Sequence, residues 1–223
     1  MNIFQIFVKY HEAFTDGLLT TLKLCLVIWC SGLLVGALVG VMAHRRPRLL
    51  GIPTKVASFF MVSVPVLVFL FWLHFPLAQL GVRLPPFWSA SIALSIVNIL
   101  AVADIVRHAL GEFPQEYLVV ARISGLTTNQ ALRHIQFPLI IRNILPSLIA
   151  TQVTMLQATL FASFISVDEI FRAAQNVNAR IYEPVQIYTA LGILFLVVCG
   201  PIQGLALLLK RRFGRKLAEL TSR

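Results

Sequence analysis

The polar side chains best placed to contact a solute lie within one long apolar stretch, residues 139–165. Positions 151–163 of this stretch carry three threonines, two glutamines and one serine. On a helix, Gln152, Thr159 and Ser163 share one face because their offsets are seven and four, whereas Gln157 lies off that line. Such groups either hold apolar helices together or line a wet passage. The sequence leaves both interpretations open.

A carboxylate near another apolar stretch is the second candidate for chemistry. Asp104 precedes Arg107 and His108 by about one helical turn. Charges inside a membrane usually serve a function, so a proton relay or a solute ligand is one interpretation. Pairing with Arg107 or His108 at the end of a helix is the favoured alternative.

Motifs for bond-making chemistry are missing from the sequence. It contains no GxxxxGK[ST] loop for a nucleotide and no spacing typical of metal ligands or of an activated nucleophile. We therefore expect no enzyme, no catalytic or metal-binding residue and no cofactor in this chain. Any ATP hydrolysis must come from a partner.

The elements that position these side chains follow from composition. Of 223 residues, 58% are apolar and 13% are charged, and the apolar residues form blocks about as long as the roughly 20 residues that cross a bilayer as a helix. Backbone groups in lipid must pair within their own segment, and the period-2 alternation of a membrane barrel is absent. The sequence predicts an all-α membrane protein with about five spans, at residues 17–43, 53–75, 86–106, 139–165 and 186–209.

Basic residues predict the orientation of these spans. Fourteen of the nineteen Lys and Arg residues fall in the loop after the first span, in the region between the third and fourth spans, or in the tail. The positive-inside rule places these segments in the cytoplasm. Residues 1–16 are then extracytoplasmic and residues 213–223 form a basic cytoplasmic tail. This rule, together with attraction to anionic lipid head groups, explains the net charge of +10, so no nucleic-acid partner is expected.

Between the third and fourth spans lies a polar, basic segment, residues 112–137, which contains "VVARISGLTTNQALRHIQ". Glycine allows a backbone turn that strains other residues. We expect two short helices meeting at Gly125, forming a compact knob on the cytoplasmic face.

The segment "FPQEYLVVARISGLTTNQALRHIQFPLIIRNILP" resembles the cytoplasmic EAA loop of ABC importer permeases. Ala121 and Gly125 have the spacing of that motif, and Phe137-Pro138 falls thirteen residues after the glycine. The stretch "PSLIATQVTMLQATLFASFISVDEIFRAAQ" and the first span are similar to permeases of the polar amino-acid family, of the histidine, glutamate and arginine type. The resemblance covers residues 17–212 and implies a type I ABC importer transmembrane domain in a bacterial cytoplasmic membrane.

The resemblance also implies partners. These are a dimer of ABC ATPases that binds ATP and Mg, a second permease that is identical or homologous, and an extracytoplasmic solute-binding protein. The function implied is ATP-driven import of an amino acid or a related small polar solute, with the knob docked on the ATPase. A secondary transporter or channel is the alternative, although no internal repeat or charged midplane site supports it.

The knob departs from the family pattern. Val119 replaces the usual glutamate of the EAA motif, and Val120 replaces the next alanine. On a helix, Glu116 and Arg122 flank Val119, so Glu116 could supply the missing anion; equally, a second permease could carry the stronger contact. The candidate ATPase-coupling residues are Glu116, Val119, Val120, Ala121, Arg122 and Gly125.

The substrate region departs too. Where the family usually has Lys-Asp-Thr-Ser, this chain has Gln157, Ala158, Thr159 and Leu160, and the second span keeps Pro65 but loses an arginine and a glutamine. Either the solute differs from the common polar amino acids or the partner permease supplies the charges. The candidate pathway residues are Pro65, Gln152, Gln157, Thr159 and Ser163.

The segment 166–185 follows the fourth span and should face outside. Its mixed charges favour an interface with the binding protein, formed by Asp168, Glu169 and Arg172. A solvated loop without a partner is the alternative.

Overall fold

The computed structural model describes residues 3–221, with all side chains except those of residues 4, 7 and 214–221; the end of the predicted tail, residues 222–223, lies outside the described residues. The described chain forms helices joined by short connections. In chain order they are α1 (Ile3–Lys9), α2 (His11–Arg45), α3 (Pro47–Ser63), α4 (Val66–Gln79), α5 (Pro86–Gly111), α6 (Gln115–Ile123), α7 (Thr128–Ile165), α8 (Ile170–Ile181) and α9 (Pro184–Thr221).

Within residues 3–221, four helices are long and apolar enough to cross a membrane: α2, α5, α7 and the part of α9 from Pro184 to Phe213. The bent pair α3 and α4 makes a fifth span if it is counted as one. Each of the predicted spans 17–43, 86–106, 139–165 and 186–209 lies inside one of these helices. The largest difference between a predicted and an observed span boundary is at the start of α7, which begins eleven residues before the predicted span.

The remaining predicted span, 53–75, is not a single straight helix. Its two halves, α3 and α4, meet at an angle of 101°. The break occurs at Val64, whose backbone is extended with φ −96° and ψ 125°, and at Pro65. A proline disfavours the helical conformation of the residue before it and offers no N–H to the preceding turn, so the helix ends here.

Helices α2 and α5 pack closely along a seam of glycines spaced four residues apart. A Cβ atom added to Gly36 would lie 2.8 Å from the carbonyl oxygen of Ile99, and one added to Gly40 would lie 2.6 Å from that of Ala103. Only glycine permits this approach, as the spacing of the seam predicts.

Helix α5 is the centre of the bundle and packs against α2, α3, α4 and α7. At one end of the bundle lie the α2–α3 turn, residues 112–127 and the C-terminal turns of α9; we call it the basic end. At the opposite end lie α1, the α4–α5 connection and residues 166–183. Many apolar side chains on the outer faces of the spans are exposed, which is the arrangement that a lipid environment requires.

Candidate functional site

Helix α6 projects at the basic end and is held there by its inner face. Phe113 and Ala121 are buried, and Tyr117 and Leu118 pack against an apolar cluster formed by α5 and α7. This face anchors the helix to the two spans that flank it.

The outer face of α6 is apolar and open. Val119, Val120 and Ile123 are 53%, 62% and 81% exposed, and Glu116 and Arg122 are exposed beside them. Five of the six candidate coupling residues thus lie on the surface of the basic end, whereas Ala121 lies beneath. Contiguous exposed apolar groups with charged neighbours are typical of a protein contact surface.

Gly125 ends α6 through backbone geometry. Its φ is +80°, and the N–H groups of Gly125 and Leu126 donate to the carbonyl oxygens of Arg122 and Ala121. These two hydrogen bonds form a Schellman motif, which requires a left-handed residue at this position. A Cβ added to Gly125 would meet nothing within 4 Å, so conformation rather than space demands glycine here.

The turn leads directly into α7. The Thr127 N–H donates to Oε1 of Gln130 at 2.8 Å, and the Gln130 N–H donates to Oγ1 of Thr127 at 3.4 Å. This capping box starts a helix that runs without a break to Ile165. The predicted pair of short helices is therefore one short helix, α6, followed by the first turns of a spanning helix.

A buried pair of amides joins three spans. Nδ2 of Asn98 donates to Oε1 of Gln152 and to the Ile28 carbonyl, both at 2.9 Å, and Nε2 of Gln152 donates back to Oδ1 of Asn98 at 3.3 Å. Nε1 of Trp29 donates to the Gln152 carbonyl at 3.1 Å. Asn98 is fully buried and Gln152 is 8% exposed, so the structure uses Gln152 to hold α2, α5 and α7 together.

Two other polar residues of α7 also face inward. Thr159 and Ser163 are buried, and their hydroxyls donate to the Leu156 and Leu160 carbonyls, each at 2.7 Å. Both lie in the tighter 3-10 turns that end α7. Gln152, Thr159 and Ser163, predicted to share a face, are all buried within this chain. Their place in a passage stays a prediction.

Gln157 does not point inward with Gln152, Thr159 and Ser163, as its different position around the helix predicts. It is exposed and lines a groove of about 360 Å³ between α7 and α9 together with Thr154 and Gln203. The groove's lining includes apolar side chains, and none of the described residues that line it is a carboxylate, an ammonium or a guanidinium. It can therefore offer amide and hydroxyl hydrogen bonds without a fixed charge. Pro65 is exposed at the α3–α4 break and does not line this groove.

At the opposite end, Glu169 is buried rather than exposed. Its two carboxylate oxygens accept hydrogen bonds from the N–H groups of Phe171 and Arg172, at 2.9 and 2.8 Å, and so cap α8. Burial raises the pKa of Glu169 to about 7, while the two N–H donors act in the lowering direction. The prediction that Glu169 lies on a contact surface is wrong, because its side chain has no accessible area.

The other two residues predicted for that surface are more accessible. Asp168 is exposed and lines a shallow cavity of about 220 Å³ between α2 and α8, while Arg172 is half-buried and reaches the Ser163 carbonyl at 3.5 Å. Helix α8 is held against α2 by the Ile170 N–H, which donates to Oγ1 of Thr21. Asp168 and Arg172 remain candidates for a contact at this end.

Asp104, the remaining charged candidate, forms an ion pair within its own helix. Nη2 of Arg107 lies 2.8 Å from Oδ1 of Asp104, so the favoured pairing at helical spacing is confirmed. Among the described residues, no group of three or more His, Cys, Asp or Glu side chains could hold a metal ion.

Asn98 and Gln203 were not singled out from the sequence. An asparagine in the middle of an apolar helix is costly without a partner, so Asn98 could have been paired with Gln152 on that ground. Gln203 faces Gln157 only because α7 and α9 pack together, which no local pattern reveals.

The sequence of this chain is similar to those of known transport proteins. Residues 32–215 match the family model described as "Binding-protein-dependent transport system inner membrane component". The chain is 27% identical over 184 residues to the probable amino-acid ABC transporter permease protein YckA of Bacillus subtilis, covering 82% of this chain and 81% of that protein. It is 27% identical over 219 residues to the histidine/lysine/arginine/ornithine transport system permease protein HisQ of Salmonella typhimurium, covering 92% and 96%.

A solved structure has the same fold. The crystal structure of an amino acid ABC transporter with histidines contains a chain that superposes on this one with a TM-score of 0.83 at 26% identity, covering 95% of this chain and 99% of that one.

Proposed function

Because the chain belongs to the family of binding-protein-dependent transport system inner membrane components, a multi-pass family of the inner membrane, we propose that it imports an amino acid or a related small polar solute as the permease subunit of an ABC importer. The observation that carries this proposal is α6, a helix anchored to two spans on one face and open to a partner on the other. The amino-acid class rests on the similarity of the chain to amino-acid permeases and to a subunit of an amino acid ABC transporter.

The family implies a separate ATPase and a binding protein, and the proposal assigns each a surface. The ATPase docks on the outer face of α6, where Glu116 and Arg122 flank the apolar side chains. Val119, Val120 and Ile123 are 53%, 62% and 81% exposed. Together their exposed surface equals that of about two whole side chains. Burying them stabilises the contact by about 3 to 6 kcal/mol. An apolar docking contact then replaces the charge that the family pattern places at position 119.

Motion of α6 would pass to the spans as a unit. The helix is flanked by α5 and α7, and these two are joined by the reciprocal hydrogen bonds of Asn98 and Gln152. ATP and Mg are bound by the ATPase in this proposal, and closure of the ATPase dimer tilts α5 and α7 together. Such rigid-body motion of packed helices is an ordinary way to switch a pathway between two openings.

The groove that contains Gln157 and Gln203 is the proposed pathway surface. It is open on one side, and a second permease copy or homologue facing it would enclose the solute. The amide groups can bind the polar parts of an amino acid, while any charge that the solute requires comes from the partner half. Pro65 contributes through the α3–α4 break, because a broken spanning helix leaves backbone groups free to face a cavity.

The orientation is also a proposal. The positive-inside rule places the basic end in the cytoplasm, so that Asp168, Arg172 and the exposed side of α8 face the binding protein. A cysteine replacing Asn176, which is exposed on α8, should react with a membrane-impermeant maleimide added outside intact cells. A cysteine replacing the exposed Asn129 at the basic end is the matched control and should react only after the membrane is opened. The reverse pattern would contradict the orientation.

The proposed function is tested by purifying the chain from its own membrane and identifying what accompanies it. An ABC ATPase and a second permease should co-purify. Recovery of the chain alone, with solute flux through it that needs no ATP, would favour a channel or secondary transporter.

A further inference from the structure

A cavity of about 420 Å³ opens at the basic end, between the α2–α3 turn and the last turns of α5. Basic side chains from three helices line it, and one carboxylate, Glu112, stands among them. The basic and imidazole side chains are His44, Arg48, Lys55, Arg107 and His108. It is separate from α6 and from the groove that contains Gln157.

The positive charge in this cavity is only partly neutralised. Arg107 is bound to Asp104, and its side chain is 13% exposed. Its Nε–H is nevertheless buried without a hydrogen-bond partner among the described residues. Arg48 and Lys55 are exposed, and neither forms an ion pair within the part of the chain that the structure describes. The cavity therefore suits an anion that accepts several hydrogen bonds.

An apolar stripe runs from the cavity along α3 into the layer of the spans. Ile52 lines the cavity, and Val56, Phe59 and Phe60 continue on the same side at helical spacing, all of them exposed. The stripe begins within the cavity, at Ile52, which lies between Arg48 and Lys55 on α3. A ligand that fits both surfaces has an anionic head and a hydrocarbon tail.

We propose that this cavity binds the phosphate of an anionic phospholipid whose acyl chains lie along Ile52, Val56, Phe59 and Phe60. Basic pockets between spanning helices are suited to anionic lipid head groups. A soluble phosphate would use the charged groups but would leave the adjoining stripe uncovered. The bound head group would bridge the α2–α3 turn and the end of α5, which three residues separate from the start of α6.

The test compares lipid binding by the full chain, purified in detergent with its accompanying subunits, using native mass spectrometry and thermal unfolding. The probes are phosphatidylglycerol, phosphatidylcholine and inorganic phosphate. Phosphatidylglycerol should bind and stabilise the wild type more than the other two. The double variant Arg48→Gln/Lys55→Gln should bind it about 25-fold more weakly, because each basic residue near an anionic lipid surface is worth about fivefold in affinity.

The matched control is Arg45→Gln/Arg46→Gln, which removes the same charge from neighbouring exposed residues outside the cavity. It should retain most of the binding. Equal losses in the two double variants would show general attraction to anionic lipid and would overturn the proposal. So would wild-type binding by Arg48→Gln/Lys55→Gln, equal binding of phosphatidylcholine, or stabilisation by inorganic phosphate as large as that by phosphatidylglycerol. The side chains replaced are exposed, so unfolding temperatures without added lipid should match in all three proteins.

Discussion

Replacing Gly125 with leucine should disturb the turn that ends α6 while leaving the stability of the helix bundle nearly unchanged. The turn needs φ +80°, and a residue with a Cβ in this left-handed region costs about 1 to 2 kcal/mol. A Cβ here meets no atom within 4 Å, so no steric term adds to this cost. The Schellman hydrogen bonds of Gly125 and Leu126 would be lost from the population in which the turn unwinds.

The size of the effect follows from that cost. A penalty of about 1 to 2 kcal/mol lowers the population of the native turn relative to an unwound one by about 5- to 30-fold. We expect the Gly125→Leu variant to remain in the membrane, to unfold at nearly the wild-type temperature and to lose ATPase binding and transport by at most a factor in that range. The bundle is spared because its two buried clusters around α2, one with α4, α5 and α7 and one with α1, α8 and α9, contain no residue of this exposed turn.

The matched control is Gly125→Asn, since asparagine adopts the left-handed conformation more readily than leucine does. It should recover most of the ATPase binding. The assays are retention of the ATPase on the immobilised permease and solute uptake at equal expression. Wild-type retention and uptake by Gly125→Leu would refute the reasoning. A loss in Gly125→Asn as large as in Gly125→Leu would show that the partner needs a bare backbone here, whatever its φ.

Three further perturbations test other parts of the molecule. Val119→Asp should weaken ATPase retention strongly by placing an unpaired charge in an apolar contact, whereas Glu116→Gln should change it little; the opposite result would mean that Glu116 carries the docking charge. Asn98→Ala should lower the unfolding temperature because it leaves the side chain of Gln152 unpaired, at a cost of about 1 to 3 kcal/mol. The double variant Asn98→Leu/Gln152→Leu should recover part of this loss. If the double variant instead loses the sum of the two single-variant losses, the paired arrangement is contradicted. The pKa of Glu169 rises from 4.5 to about 7 on folding, so its protonated form favours the folded state. The protection of the α8 amides against hydrogen exchange, relative to their intrinsic exchange rate at each pH, should therefore fall as pH rises from about 4.5 to about 7. Glu169→Gln should remove this loss of protection, and an unchanged pH profile of protection in that variant would assign it to another group.

Much of the fold could be predicted because lipid imposes a simple rule on the sequence. A span must be apolar over its whole length, so the blocks that contain α2, α5, α7 and α9 are visible in composition alone. The glycines at positions 32, 36 and 40 also signal a close helix contact through their spacing. A proline within a span permits a kink, but the bend of 101° also depends on how α3 and α4 pack against α5.

The candidate sites were less accessible to sequence reasoning. The apolar face of α6 follows from helical spacing, and the glycine at its end marks the left-handed turn. By contrast, the partners of Gln152 are set by tertiary packing, and so is the burial of Glu169, whose own hydrogen-bond partners are the nearby N–H groups of Phe171 and Arg172. A glutamate in a polar loop normally indicates a solvated surface, yet Glu169 turns inward because the first N–H groups of α8 need an acceptor.

The most direct test of the proposed function is ATP hydrolysis by the reconstituted complex of this permease, its ATPase and its binding protein in proteoliposomes. Hydrolysis should rise when one or a few amino acids are added together with the binding protein, and the same amino acids should accumulate inside vesicles supplied with external ATP on the ATPase side. Hydrolysis that ignores every amino acid and the binding protein, with accumulation of solute that needs no ATP, would contradict it.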